Sequence, residues 1–390
     1  MGTMRSATTE QEAHVTDQLV LTQVVGGVGV ITLNRPKALN ALSLSMVRSL
    51  MATLLRWSDD SAVLAVMLRG SARAMPDGSQ GAAHFCAGGD IRFMHEAGMS
   101  GDLAIDDFFT EEYELDHFIH TYPKPVIAWL DGIVMGGGMG LAQGAALRVA
   151  TPAVKMAMPE TRIGLIPDVA GGYFLSRLPG SVGEYLGVVG QTFNAHDALH
   201  WRLVDGIVSA SAQAVLLQSL DDQPVSSGAQ AVARVKACCL SEAEAQAALP
   251  ARTLSLHEQA VDQHFSLGSV EAMAESLQQD GSEWALAALK HLHGNSPLMM
   301  TVTLRQIRMA RHMGLAEVFR LERNLVRQCF ALRKGADSET VEGVRALAVD
   351  KDHQPRWNPA TLPGVLAEQV DAFFEPPWPS HIHPLRHLTD

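Results

Sequence analysis

Strand and helix patterns alternate over roughly the first 210 residues and give way to helical patterns alone, which predicts an α/β core followed by a helical C-terminal region. Two further observations sharpen that class. The strands include nearly continuous apolar runs, which suit a sheet covered on both faces. Two glycine clusters, "CAGGD" (86–90) and "MGGGMG" (135–140), stand where a strand or loop hands over to a predicted helix. With 390 residues, 47% of them hydrophobic, the chain can build one large domain or two modest ones around a core of normal size.

Taken in order, residues 1–16 are polar and expected to be frayed. "LVLTQVVGGVGVITL" (19–33) reads as a hairpin turning at Gly26–Gly27, and "NRPKALNALS" as a turn into a helix over 43–57. "VLAVMLRG" (63–70) is a buried strand, and "SARAMPDGSQGAAH" (71–84) a Pro/Gly/Ser-rich loop. Residues 102–120 form an acidic amphipathic helix, and "PKPVIAWLDGIV" (123–134) returns to a strand. The second glycine cluster then enters a helix, two strands follow, and helical patterns begin at about 170. Ala and Leu dominate 212–294, and 297–334 holds a long helical stretch. The expected division is a flexible N-terminus (1–16), an α/β core (17–210), a helical region (211–375) and a tail (376–390), poorly ordered or docked, whose His381, His383 and His387 form no convincing metal tract.

A formal net charge of -12 argues against a nucleic-acid surface but leaves room for small anionic ligands. The apolar run near 126–147 is broken by Asp131 and glycines, so it is core and not a membrane span. Cys86, Cys238, Cys239 and Cys329 show no metal-ligand spacing and read as thiols; with no apolar N-terminal stretch, they point to the cytoplasm. No phosphate-loop, nucleophile-elbow or zinc-protease motif is present. What remains is the pair of glycine clusters, able to present backbone N–H groups to one oxygen, with Glu160 and Asp168 downstream in "MPETRIGLIPDVAGG". As bare residues these have structural alternatives. Asp168 could cap a helix start, Glu160 could end a strand in solvent, and Glu112 could sit on a solvated face beside Glu111 and Glu114.

The stretches "ITLNRPKALNAL", "FCAGGDI", "PKPVIAWLDGIVMGGGMGLA" and "MPETRIGLIPDVAGGYFLSRL" resemble the enoyl-CoA hydratase/isomerase (crotonase) superfamily, and "EGVRALAVDKDHQPRWNP" (342–359) its 3-hydroxyisobutyryl-CoA hydrolase branch. The resemblance implies a crotonase-like β-β-α superhelix with a helical C-terminal region. It implies an acyl-CoA thioester as substrate, no cofactor beyond the CoA of that substrate, no metal, and homo-oligomers as in many members. Carried over by position, the oxyanion donors fall at Gly89 and Gly137, with Gly88 if the register shifts by one. The substrate-contacting glutamate falls at Glu112, the catalytic glutamate at Glu160, and its partner at Asp168. Asp90 and Arg92 are local ion-pair partners at a helix start or frame the CoA channel; Lys37 and Arg35 meet the CoA phosphates or simply stand as basic residues beside a turn. Gly140 stands where a hydratase holds its other glutamate, which favours thioester hydrolysis over hydration. The rival readings are an enoyl-CoA hydratase or isomerase and a non-catalytic acyl-CoA-binding protein.

Overall fold

The computed structural model describes residues 18–74 and 80–390; the expected frayed N-terminus and part of the 71–84 loop lie outside the described residues. Strands β1 (Val20–Val25) and β2 (Val28–Leu33) form the expected antiparallel hairpin. Its two turn residues, Gly26 and Gly27, both have positive φ (54° and 89°), the conformation that glycine adopts without a steric penalty. A Cβ on Gly26 would also lie 1.9 Å from the Leu220 carbonyl oxygen, so the turn can press against a later helix only as glycine.

From β2 the sheet continues in parallel through β3 (Ala65–Gly70), β4 (Val126–Leu130), β6 (Leu147–Ala150) and β9 (Gly206–Ile207). Successive side chains on these strands leave opposite faces, and both faces are buried. Val30, Met67, Ile127 and Val149 pack with Leu216, Leu220, Ala231 and Val235 from the helices after residue 211. Ile31, Leu68 and Ala128 join the larger core on the other side, with Leu50 and Leu54 of α1 (Leu44–Asp59). Each large aliphatic side chain so buried contributes about 1.5–3 kcal/mol, which explains the apolar runs where an exposed sheet would alternate.

A second, three-stranded sheet, β8 (Phe193–Asn194), β7 (Lys155–Ala157) and β5 (Ile133–Met135), starts where the chain leaves β4 through Gly132. Cys86 bridges Val134 on its edge. The Cys86 N–H donates to the Ile133 carbonyl, and the Met135 N–H donates back to Cys86. This pairing lays the two glycine clusters side by side. The first then enters α2 (Ile91–Ser100) and the second α4 (Gly137–Gln143). Between them runs α3 (Ala104–His120), the acidic helix.

The C-terminal region is helical. The expected long helix over 297–334 is instead two, α7 (Pro297–Ala310) and α8 (Leu315–Ala331). The chain breaks at Gly314, whose N–H is taken by the Glu317 side chain at 3.0 Å in a capping arrangement. The tail is docked: Leu385 and Leu388 are buried, and the Asp390 carboxylate accepts the Ala316 N–H at 2.7 Å. His383 is also buried, its Nδ1 accepting the Leu385 N–H, so this histidine serves packing.

Candidate active site

Gly89, Gly137, Glu112, Glu160 and Asp168 all line one cavity of about 200 Å³. Residues far apart in sequence meet here because the strand edges deliver both glycine turns to the same end of the small sheet. Neither the Gly89 nor the Gly137 N–H has an acceptor among the described residues. Gly137 opens α4, where the first N–H groups have no partner within the helix and the helix dipole presents its positive end. The Glu112 carboxyl lies close against this turn: a Cβ on Gly137 would fall 2.5 Å from Glu112 Oε1, so any larger residue would displace that side chain. Gly88 has φ 104° and lies against the Gly136–Gly137 backbone.

Glu160 follows β7 and starts a single helical turn, Glu160–Ile163. It is buried, and its Oε2 has no hydrogen-bond partner. Asp168 is buried as well, and the Tyr113 hydroxyl of α3 donates to its Oδ2 at 2.6 Å. The backbone beyond it is strained: Val169 and Ala170 have φ of 53° and 65°, a region that β-branched residues rarely occupy. Glu322 of α8 holds that conformation by accepting the Ala170 and Gly172 N–H groups, each at 2.8 Å. Gln306 of α7 donates to the Pro167 carbonyl at 2.6 Å. The start of α5 (Gly171–Leu175) is therefore capped by Glu322, and Asp168 is turned into the cavity. The helix-cap alternative for Asp168 is thus filled by another acid, and Glu160 and Glu112 are not solvated.

Five carboxyls, Glu112, Asp116, Glu160, Asp168 and Glu322, are each at most 5% exposed. None makes an ion pair with Lys, Arg or His among the described residues. Burial pushes all of them up from the ordinary carboxylate range, and their neighbours' charges push most of them further. Asp168 rises to about 6, held back by the Tyr113 hydrogen bond. Glu160 is raised by burial first and by the Asp168 charge second. Glu112 is raised by burial and then by Asp116, Asp168 and Glu160. No cation among the described residues offsets this burial.

Sequence reasoning missed Tyr113, Asp116, Gln306 and Glu322. Asp116 lies one helical turn beyond Glu112 on α3, a spacing that puts both acids on one face. It is fully buried, and neither carboxyl oxygen has a partner. A Cβ built on Gly140 would fall 2.7 Å from Asp116 Oδ2 and 2.6 Å from Val169 Cβ. The space beside Gly140 is thus closed by Val169 and by Asp116 of α3. Arg35 is paired with Asp90 at 2.7 Å, and Asp90 also caps α2 through the Arg92 and Phe93 N–H groups. Arg92 reaches the Ala348 carbonyl at 3.5 Å, and Lys37 lines neither this cavity nor the larger cleft beside it.

Two unpaired N–H donors facing two carboxyls of raised pKa make a site that can polarise a carbonyl and move a proton beside it, the site of an acyl-group enzyme. The chain belongs to the enoyl-CoA hydratase/isomerase family, which matches residues 28–374. It is 42% identical to the mitochondrial 3-hydroxyisobutyryl-CoA hydrolase of Danio rerio, over 91% of this chain and 89% of the relative. It is 37% identical to the Homo sapiens protein of the same name, over 91% and 88%. Among solved structures it is similar to a carnitinyl-CoA dehydratase from Mycobacterium thermoresistibile (TM-score 0.80, 33% identity, 92% of this chain and 97% of that one). It is also similar to an enoyl-CoA hydratase from Rhodobacter sphaeroides 2.4.1 (TM-score 0.79, 31% identity, 92% and 98%). The crotonase-like fold and the resemblance to the hydrolase branch are borne out. The cytoplasmic expectation is overturned, because the relatives are named as mitochondrial. Free thiols separate reducing from oxidising compartments and do not distinguish one reducing compartment from another.

Proposed function

We propose that this chain is a thioester hydrolase that cleaves 3-hydroxyisobutyryl-CoA into CoA and 3-hydroxyisobutyrate, a step of valine catabolism, with no cofactor beyond the substrate's own CoA. One observation carries the reading: Glu160 and Asp168 face the same cavity as the two unpaired N–H donors, and Gly140 has no room for a second catalytic glutamate. The names of the curated relatives support the same substrate.

In this reading the thioester oxygen sits between the Gly89 and Gly137 N–H groups, and each donor contributes about 10²–10³ in rate. Glu160 acts on the carbonyl carbon, as general base for water or as nucleophile through a mixed anhydride. In the general-base route the water oxygen bonds to carbon, the C–S bond breaks, and Glu160 passes the proton it has taken to the departing thiolate. Burial and then the Asp168 charge raise the pKa of Glu160, which makes it both a stronger base and a suitable donor afterwards. Tyr113 keeps Asp168 ionised and oriented. Glu112, whose pKa is raised by burial and by the neighbouring acids, stands beside Gly137 where it can contact the acyl group.

The solved relatives named as dehydratase and hydratase favour a second reading, double-bond hydration on the same site. Thiol release across a panel of 3-hydroxyacyl and enoyl CoA thioesters separates the two. Hydrolysis predicts free thiol from 3-hydroxyisobutyryl-CoA above all, whereas loss of the crotonyl-CoA double bond without free thiol would replace it.

A further inference from the structure

A second hollow, of about 530 Å³, opens where the helices of the site end. His120 and Gln143, the last residues of α3 and α4, line it together with Tyr173 of α5. It shares no lining residue with the acid pocket. The helix α3 nevertheless joins the two, since Glu112 lines the pocket and His120 lines the hollow. Asp116 stands midway, so the three residues fall at i, i+4 and i+8 on one face of α3. We propose that this row is a proton path, which carries the proton set free by thioester hydrolysis from the acid pocket to the rear hollow. The inference rests on the hydrolase reading above and adds Asp116 and His120 to its machinery.

The reaction itself creates the need. Hydrolysis of a thioester consumes one water: a C–O bond forms, the C–S bond breaks, and the departing thiolate takes one proton of that water. The new carboxylic acid then ionises, so each turnover leaves one proton over. It appears in a pocket of about 200 Å³ that has little spare room once a branched acyl group is inside. The proton either leaves through the protein or waits for the products to go.

The row has the groups for the first course. Glu112 Oε1, both carboxyl oxygens of Asp116 and His120 Nε2 are buried without a hydrogen-bond partner among the described residues. Buried polar atoms nearly always find a protein group or a water, and here four orphans follow one another along about 12 Å of one helix. Side chains one turn apart have Cβ atoms about 5–6 Å from each other, a gap that the side chains or one bridging water can close. His117, off this face, is spent otherwise: its Nε2 meets the Thr389 carbonyl at 2.8 Å. Asp116 is fully buried, and an unpartnered acid there costs stability that an apolar residue would not. Burial and neighbouring acids raise Glu112 and Asp116, so each takes up a proton more readily than an ordinary carboxylate. Burial, then the charges of His117 and Arg148, pull His120 down to about 4 and keep its ring neutral. A neutral imidazole can accept a proton at one nitrogen while giving up the one on the other.

The test measures thiol release from 3-hydroxyisobutyryl-CoA at saturating substrate, with and without added imidazole, for the full chain and its Asp116→Asn and His120→Ala variants. Asn keeps the shape of Asp116 and cannot take up the proton, while Ala at 120 opens the row to the hollow. Both variants are expected to lose about tenfold in kcat, less than the 10²–10⁴ of a group acting on the substrate itself, with KM within about twofold. Imidazole should restore His120→Ala, whose gap it can reach from the hollow, and leave Asp116→Asn and the parent unmoved. Glu160→Gln in the same buffers reads the direct reaction of imidazole with the thioester. An unchanged kcat in either variant, or a loss in His120→Ala that imidazole does not restore, overturns the proposal and leaves thioester hydrolysis standing. A parent that releases no thiol from any CoA thioester defeats the functional reading, and the path falls with it for want of a proton to carry.

Discussion

Tyr113 and Asp168 show how one hydrogen bond sets the chemistry of a buried acid. Burial lifts Asp168 to about 6, and the Tyr113 hydroxyl favours its ionised form. Removing that donor in Tyr113→Phe raises the pKa further, by roughly one unit or more for a bond to a charged group. If the reaction needs Asp168 ionised, activity is lost as pH falls through this pKa. The acid limb of the kcat/KM profile is therefore expected to move to higher pH by about one unit in the variant, and an unmoved limb would remove Asp168 from the proton balance. Glu160 and Asp168 were legible in the sequence because two acids stand in an apolar, glycine-rich stretch. Tyr113 and Asp116 were not, because an acidic amphipathic helix reads as solvated. Arg48 does bind Glu111 at its surface, while Glu112 and Asp116 point inward.

At the scale of elements, the site depends on the glycines of α4, which leave room for the Glu112 and Asp116 side chains of α3. Gly140 is where they touch, since a Cβ there meets both Val169 and Asp116 at under 3 Å. Gly140→Ala is expected to cost about 1–3 kcal/mol as an overpacked position, read as a lower midpoint in chemical denaturation. An unchanged midpoint would mean that α3 yields easily. The order of strands and helices was readable from periodicity, and so were the handovers at both glycine clusters. The clamp on Val169–Ala170 was not, because its acid, Glu322, lies 152 residues along the chain from the Ala170 N–H it accepts. The break between α7 and α8 was missed for a related reason: apolar spacing continues through Gly314, and only the capping contact with Glu317 marks the new start.

Over the whole molecule, the buried acids couple stability to pH. A carboxyl whose folded pKa is raised favours the folded state in its protonated form. Its contribution is fully present below the unfolded value and is lost as pH rises through the folded one. Asp116, raised well above 3.8 with no partner, costs stability as it approaches ionisation. Asp116→Asn, which cannot ionise, is expected to be more stable than the parent by roughly 1–3 kcal/mol at pH 8. Its advantage should shrink as pH falls, measured as the difference in Tm between pH 5.5 and 8; a constant difference would place the proton elsewhere. At this scale sequence motifs supplied the fold and the family. They misplaced the compartment, because thiol chemistry alone carries no address.

With Glu160 proposed as the reacting carboxylate, thiol release from 3-hydroxyisobutyryl-CoA is measured for Glu160→Gln beside the parent. Gln keeps the shape and removes the proton acceptor. Turnover is expected to fall by about 10²–10⁴, with CoA affinity within about twofold and Tm no lower. Near-normal thiol release by the variant would take that role from Glu160.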